Sequence, residues 1–391
     1  MGAKGSAANV TLLASLAFFT VGSNLLAYGV VQEPIISEFN LSLTDSGLLV
    51  SVYFLTYSIM QIPGGYLADK WGGERTIALF ATISALAAIG LAFVSSFGLA
   101  IVLRIAIGFG NGPLLPAAVR ALTRRLHGHQ LEVANGFFGA GWGVAQILVL
   151  NLLPAVTAIS SWRTSLLAIG ATTLGVSAYA WIASRGGTSN EVQPVEKTAM
   201  RLKETITRRT VLLILINVTG IVIPLTAITW APIQFVKLFR ITAVDAARVV
   251  SIFGVLSIIS TMLGGFATKH IGGRRVMIAS MGATLGAVLL LTNPVSPTIG
   301  LLIVGVLGFA STFYISANFS MVPGSAGAGS TNPGFVFGVY NTISNAVSFF
   351  PPLISGYILD TTQNFTLLYL SVSVVAVIGL VSSLLFRKSS Q

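Results

Sequence analysis

Apolar runs separated by short polar segments make up most of the chain. A helix needs about 20 mainly apolar residues to cross the hydrocarbon core of a membrane, so each long run predicts one transmembrane helix. Gly, Ser, Thr and Pro recur within the runs, as is typical of closely packed helices. Barrel strands would be shorter and would alternate apolar with polar residues. The pattern predicts an all-α membrane protein with twelve transmembrane helices, near residues 10–32, 45–68, 76–94, 97–119, 133–156, 162–184, 210–235, 246–268, 276–292, 297–320, 333–358 and 364–386.

Charged residues are too scarce for a soluble protein. The 391 residues include 22 Lys and Arg and 11 Asp and Glu, 8% in all, and the mean hydropathy is +0.86. Soluble globular domains carry about 25% charged residues, so a soluble enzyme and a nucleic-acid-binding protein are both excluded. No cysteine is present, which excludes disulfides and cysteine-ligated metals. The partner that this composition implies is a lipid bilayer.

The net charge of +11 indicates how the chain is oriented in the membrane. Lys and Arg collect in the cytoplasmic loops of membrane proteins. With the N-terminus inside, 17 basic residues fall on the cytoplasmic side, 4 fall outside, and the remaining one, Arg104, falls deep inside a predicted helix. We therefore predict cytoplasmic N- and C-termini and a multi-pass protein of the cytoplasmic (inner) cell membrane.

The chain contains an internal repeat with an offset of 200 residues. Residues 64–75 read GGYLADKWGGER and residues 264–275 read GGFATKHIGGRR, with five of twelve positions identical. Further pairs at this offset are Asp45 with Asp245 and Gly108-Phe109 with Gly308-Phe309. Six helices per half make the two halves parallel, with a substrate site expected between them near mid-membrane. The predicted domains are an N-terminal six-helix bundle (1–184), a cytoplasmic linker (185–207) and a C-terminal six-helix bundle (208–391).

Two motifs resemble those of a known transporter family. Gly65-x-x-x-Asp69-Lys70-x-Gly72, between the second and third predicted helices, resembles the cytoplasmic loop motif of the major facilitator superfamily. Arg104-x-x-x-Gly108-x-Gly110 in the fourth helix resembles the second motif of that superfamily. Glu74 stands where the family often has a basic residue, and Lys269 replaces the acid in the second copy of the loop. The resemblance implies the major facilitator fold and secondary transport by alternating access.

Two anion-handling branches of the superfamily share further features with the chain. The run from Gly108 to Ala118, together with Trp162-Arg163, resembles the organic anion:cation symporter branch. Ala134-Asn135 followed by Gly139-Ala140-Gly141-Trp142-Gly143 is similar to the nitrate/nitrite porter branch. The second predicted helix lacks the arginine of the nitrate porters, and Asn111 stands where the anion symporters often carry an acid. The first departure argues against nitrate, and the second argues against proton coupling through the fourth helix.

Arg104 is the only ionisable residue deep in a predicted helix. An arginine at a helix centre costs about 2.5–3.5 kcal/mol on insertion scales, so its side chain should face water or a partner. Asn111 follows seven residues later, on the same helical face. Two interpretations stay open: Arg104 attracts an anionic group of the substrate, or it maintains packing or gating.

Other polar side chains share helix faces with one another. They could line a cavity for a small substrate with hydroxyl or carboxylate groups, or they could hydrogen-bond between helices. Besides Arg104 and Asn111, the predicted substrate-binding residues are Asn24, Tyr28, Tyr57, Gln61, Trp142, Gln146, Asn217, Trp230, Tyr314, Asn318, Asn341 and Asn345. No catalytic residue is expected among them.

The loop around Asp69 predicts a latch that holds one conformation closed. A carboxylate at the cytoplasmic end of a helix can pair with arginine and cap a neighbouring helix, and glycines permit the tight turn. The predicted gating residues are Gly65, Asp69, Gly72, Arg75 and Arg124. The loop after the fourth helix offers Arg120 and Arg125 as further partners, although positive charges there also serve topology.

These observations predict a secondary transporter for a small organic anion such as a carboxylate. No acid lies deep in a helix, so facilitated diffusion, anion exchange and symport with a proton or cation all stay open. The alternatives are an exporter of neutral or cationic hydrophobic compounds and a non-transporting membrane sensor or receptor. Neither a phosphate-binding loop nor a cluster of metal ligands is present, so we expect no enzyme activity, cofactor or metal. A monomer is expected.

Overall fold

The computed structural model describes residues 2–126, 128–185, 205–294, 296–325 and 333–386, and every regular element among them is helical. The predicted linker 185–207 therefore lies almost wholly outside the described residues. The chain divides into two compact units, one formed by Met1–Leu41 with Leu48–Val195 and the other by Ser42–Gly47 with Glu196–Gln391. Helix α2 thus begins in the second unit and continues in the first.

The helices of the N-terminal half are α1 (Gly2–Phe39), α2 (Leu43–Trp71), α3 (Gly73–Leu91), α4 (Phe97–Asn111), α5 (Leu114–Arg125), α6 (Gly128–Ile159) and α7 (Trp162–Arg185). Those of the C-terminal half are α8 (Arg208–Phe239), α9 (Ala243–Ile271), α10 (Gly273–Leu291), α11 (Pro297–Phe313), α12 (Ile315–Met321), α13 (Pro333–Ala346), α14 (Phe350–Thr362) and α15 (Phe365–Leu385). In the first unit α1 packs on α6, and α3 packs on α7 and α4. In the second unit α9 packs on α11, and α10 packs on α15 and α11.

Eleven helical segments among the described residues are long and apolar enough to cross a membrane. The span predicted near 333–358 is not one of them, because two shorter helices, α13 and α14, occupy this region, so the count of twelve is not confirmed. A 3-10 turn at Val347–Phe349 separates α13 from α14. Pro351 and Pro352 follow in the first turn of α14, where their missing N–H groups are tolerated because no intrahelical partner exists there.

The offset of 200 residues extends to the ends of the helices. Helices α2 and α9 begin and end at equivalent positions, and so do α3 and α10. Gly72 and Gly272, the single residues between these helices, have φ angles of 90° and 85°, which favour glycine over any other residue. The hydroxyls of Ser96 and Ser296 accept hydrogen bonds from the N–H groups of Leu99 and Ile299, at the starts of α4 and α11.

Several helices extend beyond the apolar runs that predicted them. The span that contains Arg104 is a pair of helices, α4 and α5, that breaks at Gly112-Pro113 and continues to Arg125. The three arginines predicted to lie in a loop, Arg120, Arg124 and Arg125, are therefore helical residues. The reason is that membrane helices continue past the hydrocarbon region, whereas hydropathy marks only the apolar part.

Candidate functional site

Close packing of α4 against α2 and α3 brings the polar residues of the first unit together. A Cβ atom on Gly108 would overlap Thr56 Oγ1 and the carbonyl oxygen of Tyr53, and one on Gly110 would lie 2.6 Å from the amide nitrogen of Ser84. Only glycine permits backbones to approach this closely. The motif glycines after Arg104 therefore have a direct structural task, which is to seat α4 on its two neighbours.

Arg104 is buried, with 1% of its surface exposed, and it is held from three directions. Its Nε donates a hydrogen bond to the carbonyl oxygen of Leu49 (2.9 Å). Its guanidinium carbon lies 4.5 Å from the ring centroid of Tyr28 and 4.8 Å from that of Tyr53. Aromatic faces attract a cation at this range, so the two rings stabilise the charge. The buried Nη2 has no hydrogen-bond partner among the described residues.

Asn111 extends the same cluster along α4. Its Nδ2 donates to the hydroxyl oxygen of Tyr53 (3.1 Å), and its Oδ1 accepts a hydrogen bond from the Ser84 hydroxyl (2.8 Å). Tyr57 stacks on Tyr53 with 5.9 Å between ring centroids. The structure thus gathers four predicted residues, Arg104, Asn111, Tyr28 and Tyr57, around Tyr53, and we call these five residues the Arg104 cluster.

Two other predicted residues of the first unit, Asn24 and Trp142, contact neighbouring helices. Asn24 donates to the Thr173 hydroxyl on α7 (3.1 Å) and to the carbonyl of Thr20, which makes it a helix-to-helix contact. Trp142 packs against Phe18 on α1, with 5.4 Å between ring centroids. Gln61 and Gln146 are buried on α2 and α6. The side chain of Asn135 lies outside the described residues.

The predicted residues of the second unit mostly bond to one another or to the backbone. The Tyr314 hydroxyl donates to Asn217 Oδ1 (2.8 Å), and Asn318 Nδ2 donates to the carbonyl of Leu213 (3.1 Å). Leu213 and Tyr314 belong to a hydrophobic core formed by α8, α10 and the chain around the break between α11 and α12. These two hydrogen bonds therefore join helices inside a packed core.

Three further predicted residues lie elsewhere in the second unit. Asn345 Nδ2 donates to the backbone carbonyl (2.8 Å) and the side-chain oxygen (3.1 Å) of Asn341, one helical turn earlier in α13. Trp230 is fully buried in α8, and its Nε1 has no partner among the described residues. Of Asn341, Asn345 and Trp230, only Trp230 has a buried N–H donor for which the described residues offer no acceptor.

One of the predicted gating residues, Asp69, takes part in one of two neighbouring ion pairs. Asp69 Oδ1 lies 2.9 Å from Arg120 Nε, and Glu74 Oε1 lies 2.6 Å from Arg125 Nη2. Both acids lie at the α2–α3 connection and both arginines lie on α5, five residues apart in each case. The pairs therefore fix the turn at Gly72 to the end of α5.

The remaining gating residues surround this turn. Gly65 is half-buried, Arg75 is exposed, and Arg124 Nη1 would lie 3.9 Å from a Cβ atom placed on Gly72. The sequence named Arg120 and Arg125 only as possible partners and did not assign a role to Glu74. The equal spacing of 69 with 74 and of 120 with 125 was the available signal, because five residues separate both the acids and the arginines.

Asp360 makes a capping interaction that the sequence did not predict. Its Oδ1 accepts a hydrogen bond from the N–H of Leu43 (2.9 Å), and its Oδ2 accepts one from the N–H of Thr44 (2.6 Å) and one from the Thr44 hydroxyl (2.5 Å). These are free N–H groups at the start of α2. Burial acts to raise the pKa of Asp360, but the hydrogen bonds from Thr44, Leu43 and Ser42 outweigh it and lower that pKa.

Comparison with known proteins identifies the family of the chain. The sequence matches the profile of the Major Facilitator Superfamily over residues 12–352. It is 24% identical over 387 residues to the uncharacterized transporter YybO of Bacillus subtilis (strain 168), covering 91% of this chain and 88% of YybO. It is 22% identical over 382 residues to the probable L-galactonate transporter of Escherichia coli (strain K12), covering 90% and 83% of the two chains.

A solved structure has the same fold. It is the crystal structure of a bacterial homologue of the human lysosomal transporter Spinster, in an inward-facing and unoccupied conformation. The TM-score is 0.79 with 17% sequence identity, and the match covers 100% of both chains. The chain belongs to the Major Facilitator Superfamily, and it is a multi-pass membrane transporter and not an enzyme.

Proposed function

We propose that the protein moves a small organic anion with a carboxylate group across the cytoplasmic membrane by alternating access, and that Arg104 binds the carboxylate. The observation that carries this proposal is the unused Nη2 of Arg104, a buried donor on a charged group. A charged donor left unpaired in an apolar interior is costly, so a binding partner is expected. A carboxylate would be paired by two parallel hydrogen bonds from a guanidinium group.

The surroundings of Arg104 support an anion over a cation. Tyr28, Tyr53 and Asn111 are uncharged, and none of the ion pairs of the described residues includes Arg104. The ring faces hold the guanidinium and leave its charge available, whereas an acid would neutralise it. The similarity to a probable L-galactonate transporter supports a hydroxylated carboxylate as the first substrate to test.

The proposed topology has twelve spans, with α13 and α14 together forming the eleventh along the chain. Both termini and the linker 185–207 would then lie in the cytoplasm, between an N-terminal bundle of residues 1–184 and a C-terminal bundle of residues 208–391. The distribution of basic residues supports this arrangement. Asp69, Arg120, Glu74 and Arg125 would form a cytoplasmic latch.

Uptake of radiolabelled L-galactonate into proteoliposomes tests the proposal, with galactose as the uncharged control. We expect saturable uptake of the acid and no uptake of the sugar. Arg104→Gln should reduce uptake about 10- to 100-fold, the equivalent of a hydrogen bond to a charged group. Arg104→Lys should recover only part of it, because lysine keeps the charge and loses the two-pronged geometry.

Arg163→Gln serves as the matched control. This arginine also contacts an aromatic ring and pairs with Glu38 (2.5 Å), yet it lies on α7 away from the Arg104 cluster. It should leave uptake unchanged. Wild-type uptake by Arg104→Gln would contradict anion binding at Arg104, and transport of lipophilic cations in place of acids would contradict the substrate class.

A further inference from the structure

Five basic residues gather at one end of the second unit, and we call them the basic end. They are Arg208, Arg209, Lys269, Arg274 and Arg275. Helix α8 begins here, α9 ends, α10 begins and α15 ends. Two contacts join the group to α15: Arg274 Nη2 donates to the carbonyl of Leu384 (2.7 Å), and the guanidinium of Arg209 lies over the ring of Phe386 at 5.4 Å.

The equivalent end of the first unit contains two acids paired with arginines, whereas none of the described residues of the basic end is an acid. At the offset of 200 residues, Lys269 and Arg274 replace the acids Asp69 and Glu74, and Ser320 and Ser325 replace the arginines Arg120 and Arg125. The two ion pairs of the first unit thus have no counterpart in the second. None of the five basic residues pairs with an acid in the part of the chain that the structure describes.

The start of α10 places positive charge where a helix favours negative charge. Arg274 and Arg275 lie in its first turn, and Gly272 offers no side chain to cap the free N–H groups. The N-terminal end of a helix carries about half a positive charge, so acids stabilise it and bases destabilise it. In the first unit Glu74 fills this position. An external anion would relieve the unfavourable arrangement in α10.

A buried hydrogen-bond donor on Arg209 also supports an anion at the basic end. Arg209 Nε is shielded from solvent and has no hydrogen-bond partner among the described residues. Its guanidinium stacks on Phe386, which holds the group in place beside the end of α15. The described acids of the C-terminal helices lie elsewhere: Asp245 is about 36 Å from Lys269 along α9 at 1.5 Å per residue, and Asp360 is engaged by Leu43 and Thr44.

Exposed apolar side chains continue from the basic end along the same helices. Met262 is 74% exposed and Phe266 is 65% exposed near the end of α9, and Ile271 follows in its last turn. Leu384 and Leu385 are exposed at the end of α15. A free phosphate ion would use only the charges, whereas a phospholipid would use both the charges and the apolar surface beside them.

We propose that the basic end binds the phosphate headgroup of an anionic phospholipid, with the acyl chains against the exposed apolar residues of α9 and α15. Lys269, Arg274 and Arg275 supply the charge, and the free N–H groups of α10 supply hydrogen bonds. The proposal concerns the membrane partner and is independent of the transported substrate.

The test uses the purified full-length protein in a neutral detergent. Phosphatidylglycerol is titrated in, and the thermal unfolding midpoint is followed, with phosphatidylcholine and inorganic phosphate in parallel. We expect phosphatidylglycerol to raise the midpoint in a saturable way and the other two to have little effect, because a ligand that binds the folded state stabilises it. Binding should weaken with added salt.

The main variant combines Lys269→Gln, Arg274→Gln and Arg275→Gln. Each basic residue near an anionic surface contributes about fivefold in affinity, so the triple variant should bind phosphatidylglycerol at least about tenfold more weakly. Lys237→Gln with Arg240→Gln, which removes two positive charges at the other end of α8, is the control and should bind normally. Arg274→Glu, which restores the residue type of the first unit, provides a second variant if the triple variant unfolds.

Several outcomes would overturn the proposal. They are an unchanged affinity in both variants, an equal shift with phosphatidylcholine, and an equal shift with inorganic phosphate. The linker acids Glu191, Glu196 and Glu204 are the competing occupant of the basic end. If the wild type ignores phosphatidylglycerol and the Glu→Gln triple variant of the linker binds it, the linker occupies the basic end and the lipid proposal is wrong.

Discussion

The two units have the same helical frame and different chemistry at equivalent positions. In the first unit Arg104, Tyr53 and Asn111 form a buried polar cluster. At the offset of 200 residues these positions hold Val304, Phe253 and Ser311, and Ile228 stands opposite Tyr28. The glycine contacts persist, since a Cβ on Gly308 would lie 2.6 Å from the carbonyl oxygen of Phe253. Glycines and caps therefore specify the frame, and a few substitutions decide which unit carries charge.

Exchanging the residues at the charged position should have the largest effect. Arg104→Val gives the first unit the residue of the second, and it should reduce anion uptake by at least about tenfold because the charged donor is lost. Val304→Arg should lower the free energy of unfolding by about 2.5–3.5 kcal/mol, because Ile228 and Phe253 replace the two tyrosines that flank Arg104. Proteoliposome flux and detergent-based thermal unfolding measure the two effects. A stable, active Val304→Arg protein would show that the second unit accepts a buried arginine at this position without a loss of stability.

Adding a methyl group at the helix contacts should affect both units alike. Gly108→Ala and Gly308→Ala each place a Cβ against the backbone of the neighbouring helix, and each should cost about 1–3 kcal/mol of stability through overpacking. Gly98→Ala in the same helix as Gly108 is the control, because nothing lies within 4 Å of its Cβ position. Thermal unfolding of the three variants gives the comparison. If Gly308→Ala matched the control, the shared frame would not depend on this glycine.

The capping carboxylate of Asp360 should show a dependence on pH. Asp360→Asn should cost about 1 kcal/mol at neutral pH, because the uncharged amide offers one acceptor oxygen where the carboxylate offers two to the start of α2. The pKa of Asp360 is lowered in the folded protein, so its contribution is complete above the ordinary value of 3.8 and is lost as the pH falls through the lower folded value. The stability difference between wild type and variant, measured from pH 7 to pH 3, should therefore shrink below about pH 4. A difference that grew on acidification would contradict the assignment.

The smallest effect is expected at the two matching serine caps. Ser96→Ala and Ser296→Ala each remove a hydroxyl that accepts a hydrogen bond from the first turn of a helix. The donor–acceptor distances are long, 3.4 and 3.3 Å, so each variant should lose only about 0.5 kcal/mol. Chemical denaturation of each variant can be compared with Thr207→Ala, another N-cap, whose hydroxyl lies 3.2 Å from the Thr210 nitrogen. Unequal losses of stability in Ser96→Ala and Ser296→Ala would show that the N-terminal caps of α4 and α11 are not equivalent, contrary to the repeat.

Hydropathy predicted the fold well because lipid requires each spanning helix to be apolar over a fixed length. Hydropathy did not predict helix ends beyond the hydrocarbon core or a break within an apolar run. The helical positions of Arg124 and Arg125 lie beyond the apolar run, and the 3-10 turn at Val347–Phe349 lies inside one. The sequence also showed that Arg104 and Asn111 share a helical face. It could not reveal the carbonyl of Leu49 or the ring of Tyr53 as partners, because such contacts join residues about 50 positions apart.

The polarity of a side chain also could not show whether it bonds to a neighbouring helix or binds a substrate. Asn217 and Tyr314 looked equivalent to Arg104 as buried polar residues, yet they satisfy each other within a hydrophobic core. Arg104 differs because a guanidinium group has five N–H donors, more than its neighbours can accept. The number of donors that remain unpaired, and not the presence of a polar side chain, distinguishes these positions.

The constant offset between equivalent helix ends also has a genetic consequence. A copied and fused half-length gene explains why Gly72 and Gly272 adopt the same unusual backbone angle. A break in the coding sequence between residues 186 and 204, within the predicted linker, would divide the protein between its two repeats. Two separately encoded polypeptides should then assemble into a working transporter when they are produced in the same cell, whereas a break within α4 should not be rescued.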